Sequence, residues 1–425
     1  MRRIGLVLAF LCLPKLALAH PMANSVVLLD VHDRVVRAEV QIPLSQLGLA
    51  LKEDLLGDPD AVLAAYGARF RAYLPRHVRP LTPSGEPWAV RVDDLSVRGA
   101  EQTATGPYQE LVAQMTFTPP VGADTRAFTL RYDAVVHQVV THKALVSVRQ
   151  DWATGVVAEH PAEVGVVRVN TVDGTIAPLE IDRSSGTLWS GFLGMVRLGV
   201  SHIAEGTDHL LFLLTLLLPA PLLASAGRWG AFRGTRGALV NTLKIVTAFT
   251  VGHSLTLFLG TVSRLELPVQ PTEAVIALSI LVSALHALRP LFPRREVLIA
   301  GGFGLVHGTA FSFTLAALNL SATQTALSLL GFNLGIELTQ LLIIAVTMPW
   351  LILLARTPVY TPVRIVGATV AALAAVGRFG ERVGVANPLG AFADGLSVYG
   401  PWALAGLVGL ALAAFWLRRP AYRSS

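Results

Sequence analysis

Five of the eleven histidines fall in or at apolar stretches of the second half of the chain: His202, His209, His253, His286 and His307. Carboxylates in the same region include Glu205, Asp208 and Glu337. An ionisable side chain within a membrane costs about 2.5–3.5 kcal/mol on insertion scales, so these residues are functional candidates by position alone. The densest cluster is Ser201-His202-Ile203-Ala204-Glu205-Gly206-Thr207-Asp208-His209. On an unbroken helix, residues seven apart share a face but lie about 10.5 Å apart along the axis. Metal–nitrogen bonds are about 2 Å. His202 and His209 could therefore share one ion only if Gly206 supplies a break, as in the discontinuous helices of transporters. Otherwise each pairs with groups on other helices, or Thr207 or Asp208 simply caps a second segment.

Weaker polar patterns follow along the chain. Thr247, Thr250, His253 and Ser254 lie close to one helical face. Ser279, Ser283 and His286 are spaced i, i+4, i+7, with His286 near a basic end, where snorkelling or capping serves as well as function. Gly301, Gly302, Gly304 and Gly308 permit close helix approach, so that His307 would face a neighbouring helix and not lipid. Asn333, Glu337 and Gln340 form a polar stripe, readable as a binding face or as an interhelical hydrogen-bond network. Imidazole and carboxylate without thiolate suit Ni(II), Co(II), Zn(II) or Cu(II) better than Cu(I). No G-x-x-x-x-G-K-[ST] loop is present, which disfavours ATP-driven pumping by this chain alone.

The elements that must carry these residues follow from composition. The chain has 425 residues, 53% hydrophobic and only 15% charged, with a mean hydropathy of +0.57. Soluble domains average about 25% charged residues. Residues 20–189 hold 15 Lys and Arg against 20 Asp and Glu, a net of −5, whereas residues 190–425 hold 16 against 8, a net of +8. The basic excess thus sits in the hydrophobic half, where cytoplasmic loops collect it; it argues for orientation in a membrane and against nucleic acid.

Arg2 and Arg3, a short apolar run and Ala17-Leu18-Ala19 read as a signal peptide over residues 1–19. The sole cysteine, Cys12, would leave with it, which excludes zinc-finger, iron–sulfur and thiol-nucleophile chemistry. Cleavage would make His20 the new N-terminus, whose amine and imidazole are a secondary metal candidate. Residues 20–185 read as an extracytoplasmic β-rich, sandwich-like domain: strand patterns at 26–31 and 35–42 around a hairpin turn, then 111–118, 128–140 and 164–172, with a helical insert at 44–74. His137 and His142, five apart on one strand, would face opposite sides and not share an ion.

Residues 186–425 form a polytopic α-helical membrane domain with about seven spans, near 190–226, 238–261, 273–292, 297–317, 325–354, 363–379 and 400–417. The first is broken at Glu205-Gly206-Thr207. Arginines cluster in alternate loops (Arg228, Arg233 and Arg236; Arg289, Arg294 and Arg295; Arg356 and Arg364; then Arg418, Arg419 and Arg423). The positive-inside rule therefore places the first domain in the periplasm and the C-terminus in the cytoplasm of an inner-membrane protein.

The strings HIAEGTDHLLFLL, TAFTVGHSLTL, FGLVHG and FNLGIELTQ resemble the HupE/UreJ family of hydrogenase and urease accessory membrane proteins, best over residues 188–345. The start HPMANSVVLLDV is similar to larger members with an N-terminal extracytoplasmic domain. The resemblance implies nickel or cobalt permeation. A His, five residues and Asp-His in the first membrane segment is the family's hallmark, matched by His202, Asp208 and His209. Its second motif is matched by His307-Gly308-Thr309-Ala310, with Ser312 and Thr314 in place of the family's later Gly and Glu; Glu337 would supply the carboxylate from the next helix.

The expected function is a secondary permease for a divalent transition metal, nickel or cobalt first, with zinc or copper next, feeding metalloenzyme maturation. His202, Asp208, His209, His253, His307 and Glu337 would line the site, with Asn333, Gln340, His286 and His20 secondary. The ion is cargo, and no permanently bound cofactor and no enzymatic activity are expected. Its partners would be the ion, the lipid bilayer and metalloenzyme maturation proteins. An intramembrane metalloenzyme or hydrolase is an alternative, although no H-E-x-x-H or G-x-S-x-G signature is present. A non-transporting membrane assembly factor is another.

Overall fold

A computed structural model describes residues 23–102, 106–156, 161–263, 268–318 and 320–417. The signal segment, Cys12 and His20 lie outside the described residues. The chain divides into two compact units, one running to Gly186 and the other from Thr187 onward, with Ala153–Gly155 belonging to the second.

The first unit begins with strict alternation. In β1 (Ser25–Val31) every second residue is buried, with Val27 and Leu29 fully so; β2 (Val36–Pro43) buries Val36, Ala38, Val40 and Ile42. Period-two burial puts one face of each strand in the core. The two strands form the expected hairpin, with Val31 opposite Val36. Next come α1 (Leu44–Leu51) and α2 (Pro59–His77), where a single helical stretch was expected; Asp58 caps α2 by accepting from the Ala61 amide, with Pro59 at the first helical position.

The remaining strands are β3 (Val78–Leu81), β4 (Ala89–Gln102), β5 (Gly106–Thr118), β6 (Ala127–Tyr132), β7 (Lys143–Asp151), β8 (Ala162–Arg168) and β9 (Leu179–Asp182). Six form one sheet in the order β4-β5-β2-β1-β7-β8, with β1 and β7 parallel. The other three form the sheet β3-β6-β9. Val78, Phe128, Leu130, Tyr132 and Ile181 of the small sheet share one core with the large sheet and with Phe70 and Leu74 of α2, so the unit is sandwich-like.

Two expectations fail here. The apolar stretch 128–140 is a strand only as far as Tyr132; residues 133–142 run through turns. Val135 lies there at φ +65, which no extended strand accommodates. His137 and His142 are therefore not on one strand, although they do point to different partners. The long strand β4 escaped notice because neither of its faces is fully buried, so it lacks the apolar alternation that marks a half-buried strand.

The second unit is helical: α3 (Leu188–Glu205), α4 (Thr207–Leu217), α5 (Thr235–Ser263), α6 (Val269–Leu288), α7 (Glu296–Ala317), α8 (Ala322–Leu354), α9 (Tyr360–Arg382), α10 (Pro388–Gly395) and α11 (Gly400–Trp416). By length and composition, α5, α6, α8 and α9 can each cross a membrane, while α4 and α11 are shorter apolar helices. The first apolar stretch does not remain helical to residue 226. Its helix stops at Leu217, ahead of Pro219 and Pro221, and the chain turns into a hairpin of β10 (Leu222–Ser225) and β11 (Arg228–Phe232). Proline has no amide to continue the helix. Between the last two expected spans, 363–379 and 400–417, lies a further helix, α10, started by Asn387, whose side chain accepts from the Leu389 and Gly390 amides.

Two helix pairs approach closely. A Cβ on Gly304 would run into the Phe249 carbonyl oxygen and one on Gly308 into that of His253, so α5 and α7 meet backbone to backbone. Gly199 and Gly335 bring α3 against α8 in the same way. Small residues allow this approach where the surroundings supply no hydrophobic driving force.

Candidate metal centre

The site is built around the interruption at Gly206. Thr187 and Ser190 form a reciprocal capping box that starts α3. That helix ends at Glu205, Gly206 takes an extended conformation (φ −73, ψ 92), and α4 restarts at Thr207. A side chain at 206 would strike the His202 carbonyl oxygen and come within 3.0 Å of His209 Nδ1. The break folds the two histidines together: their rings lie 4.6 Å apart, a distance that a straight helix forbids.

His253 completes the group from α5, its ring 6.3 Å from His202 and 6.5 Å from His209. One ring nitrogen from each of the three lies within 4.8 Å of the others. His253 is fully buried. His202 Nε2, His209 Nε2 and both nitrogens of His253 are buried and make no hydrogen bond. Buried polar atoms are nearly always satisfied, so three imidazoles that each carry a buried, unpaired nitrogen and bring one nitrogen apiece together are what a cation site requires. The C-terminal end of α3, with its outward carbonyls, adds partial negative charge beside it.

The other candidates distribute around this centre. His307 is buried, 5.3 Å ring to ring from His209, and its Nε2 is 2.9 Å from Ser279 Oγ on α6. Its Nδ1 makes no hydrogen bond, so it is a neighbouring imidazole whose tautomer Ser279 helps to set. Asn333 on α8 is a polar neighbour of His253; its Nδ2 donates to the Leu329 carbonyl while Oδ1 has no hydrogen bond. Asp208 faces Arg378 on α9 at 3.3 Å and is not grouped with the three histidines.

Glu337 is also outside that group. It lines a groove of about 820 Å³ together with Phe192, Ser254, Phe258 and Asn333. Gln340 accepts from the Thr250 hydroxyl at 3.0 Å and ties α8 to α5. His286 lies elsewhere, accepting from the Leu291 amide and stacked on Phe292, which is the capping role open to it from its position.

Sequence reasoning did not single out the aromatic wall or Arg378. Phe311 and Phe332 stack at 4.2 Å and both flank His202, while Phe212 and Phe249 flank His307. A phenylalanine in an apolar span carries no signal that separates a site wall from a lipid-facing position. Arg378 did carry one, as a charge near the end of an expected span.

Compared with known families, residues 179–380 match the HupE / UreJ protein family. Over those residues the helical unit is similar to the HupE/UreJ family. This is a family of membrane accessory and transport proteins that is not known as enzymatic. The match covers α3 to α9, including the break and all three converging histidines. No curated protein and no solved structure matches the chain.

Proposed function

We propose that this HupE/UreJ-like unit is a secondary permease for a divalent transition metal, with nickel or cobalt as cargo delivered toward metalloenzyme maturation. The carrying observation is the convergence of His202, His209 and His253, each with a buried ring nitrogen that makes no hydrogen bond. Neutral imidazoles without thiolate bind borderline ions and release them, as permeation requires. Asn333 both lines the groove that holds Glu337 and neighbours His253, so the stripe Glu337–Asn333 is the proposed approach from the groove to the triad.

Seven crossings, with the first formed by α3 and α4 in series, would put the first unit in the periplasm and the C-terminus in the cytoplasm of the inner membrane. Three basic connections meet at one end of the helical unit, in keeping with this. The Trp229 indole donates to the His286 carbonyl, Arg356 donates to Thr235 Oγ1, and Arg364 donates to the carbonyls of Ala287 and Leu288.

Uptake of radioactive nickel and cobalt by cells producing the protein, compared with His209→Ala at matched membrane abundance, tests the assignment. Loss of uptake in the variant is expected; undiminished uptake would sink it.

A further inference from the structure

A second pair of histidines lies in the first unit, on elements that the helical site does not use. His77 is the last residue of α2, and Asp133 follows β6. The Asp133 amide donates to the His77 carbonyl at 3.0 Å, and His77 Nδ1 lies 2.8 Å from Asp133 Oδ1. His137 Nδ1 lies 2.8 Å from the Asp133 backbone oxygen. The two rings stack with centroids 4.3 Å apart and planes 14° apart. Tyr73 packs against the pair, 4.2 Å from His77 and 6.1 Å from His137.

The backbone is bent to achieve this. Val135 is fully buried at φ +65, a conformation that β-branched residues rarely adopt. Its amide donates to Tyr73 Oη at 2.9 Å, and the amides of His137, Gln138 and Val139 close the turn onto Asp133 and Val135. That turn carries His137 back over His77.

The partners also dictate the tautomers. A carbonyl oxygen and a carboxylate can only accept, so both Nδ1 atoms carry the proton and donate. Each Nε2 is then left with its lone pair, and among the described residues no hydrogen bond reaches either one. A histidine anchored through one nitrogen to carboxylate or carbonyl, with the other free, is the arrangement found behind metal ligands. His137 is exposed and His77 half-buried, so an ion can reach them from solvent. Two nitrogens on one tetrahedral ion lie about 3 Å apart, so binding one ion through both requires the rings, stacked at 4.3 Å with planes 14° apart, to tilt out of their stack toward it. Arg79 approaches the other Asp133 oxygen at 3.5 Å and keeps that carboxylate from serving as a third ligand on its side.

We propose that His77 and His137 bind a borderline divalent cation of the Ni(II), Cu(II) or Zn(II) class through their two Nε2 atoms, with water completing the shell. Asp133 is the positioning residue for both rings. The site does not depend on the transport reading.

The test uses the purified full-length protein in detergent, titrated with Ni(II) by calorimetry and with Cu(II) followed by nitrogen couplings in its electron paramagnetic resonance spectrum. His202→Gln/His253→Gln removes the helical site. In that background one equivalent with a two-nitrogen signature remains, and adding His77→Gln/His137→Gln abolishes it. Asp133→Asn weakens it about ten- to a hundredfold without changing the number of nitrogens. His137→Gln alone, at an exposed position that folding tolerates, weakens binding at least about tenfold. An unchanged isotherm in the His77→Gln/His137→Gln protein overturns the proposal, as does a background protein that binds no ion. Failure of the helical site alone would leave the background equivalent intact, so the two readings fail separately.

Discussion

At the level of single residues, the centre depends on His253 being fully buried beside two histidines that its own helix does not carry. Replacing it by alanine removes one of the three converging imidazoles proposed as ligands. Metal affinity should fall by at least about a hundredfold, close to 3 kcal/mol, measured by nickel titration of the purified protein. Gly206 is the other sensitive position. Its backbone φ is one that any residue can adopt, so alanine there is not strained in itself, and the conflict is with the His202 carbonyl and the His209 ring. Alanine also favours continuing the helix by about 1 kcal/mol over glycine. Gly206→Ala should therefore reduce metal uptake about tenfold, an effect of about 1.4 kcal/mol, while leaving membrane abundance near normal. Equal uptake by the two proteins would show that the break is not what joins His202 to His209.

At the level of elements, two glycine-mediated helix contacts hold the helices that carry His202 and His253. The pair α5–α7 carries His253 and His307, and the pair α3–α8 carries His202 and Asn333. A large residue at either contact must push the helices apart. Gly304→Leu places its side chain on the Phe249 carbonyl, and overpacking of this kind costs about 1–3 kcal/mol. The expected outcome is a melting temperature several degrees lower in detergent and loss of bound nickel in the same variant. Gly302 has open space around it, and Gly302→Leu should leave both properties near wild type. This pairing was half legible beforehand. The run Gly301-Gly302-Phe303-Gly304 announces close approach to something, but one-dimensional spacing does not name the partner helix.

Over the whole molecule, the two units answer to different physics. The first is held by a sandwich core with a buried polar contact at its edge, Ser25 Oγ to His142 Nε2 at 2.8 Å. Burial holds the His142 imidazole down, to about 4 from its ordinary value of 6.5. A histidine whose folded value is depressed must stay neutral to fold. Its contribution is therefore complete above pH 6.5 and is lost as pH falls from 6.5 toward 4, with a ceiling of about 3 kcal/mol. Thermal melts of the full-length protein between pH 7.5 and 4.5 should show the first unit losing stability through that window, with a shallower slope in His142→Gln. A slope identical in the two proteins would assign the acid sensitivity to other groups.

Read alone, the sequence determined the division into an acidic β-rich half and a basic apolar helical half. It also determined the helical periods, the interruption at Gly206 and the family that the helical unit resembles, because composition, periodicity and short motifs are local properties of the chain. It did not separate Asp208 and Glu337 from the histidines. All six groups are costly in a membrane, and the cost of an ionisable residue does not reveal its partner. Only the tertiary structure decided that Asp208 turns to Arg378, that Glu337 lines a groove together with Asn333, and that three imidazoles from α3, α4 and α5 converge. The same holds for His77 and His137, which are sixty residues apart and meet only because a buried valine at positive φ reverses the chain between them. Convergence of side chains from distant segments is set by packing, and packing has no one-dimensional signature.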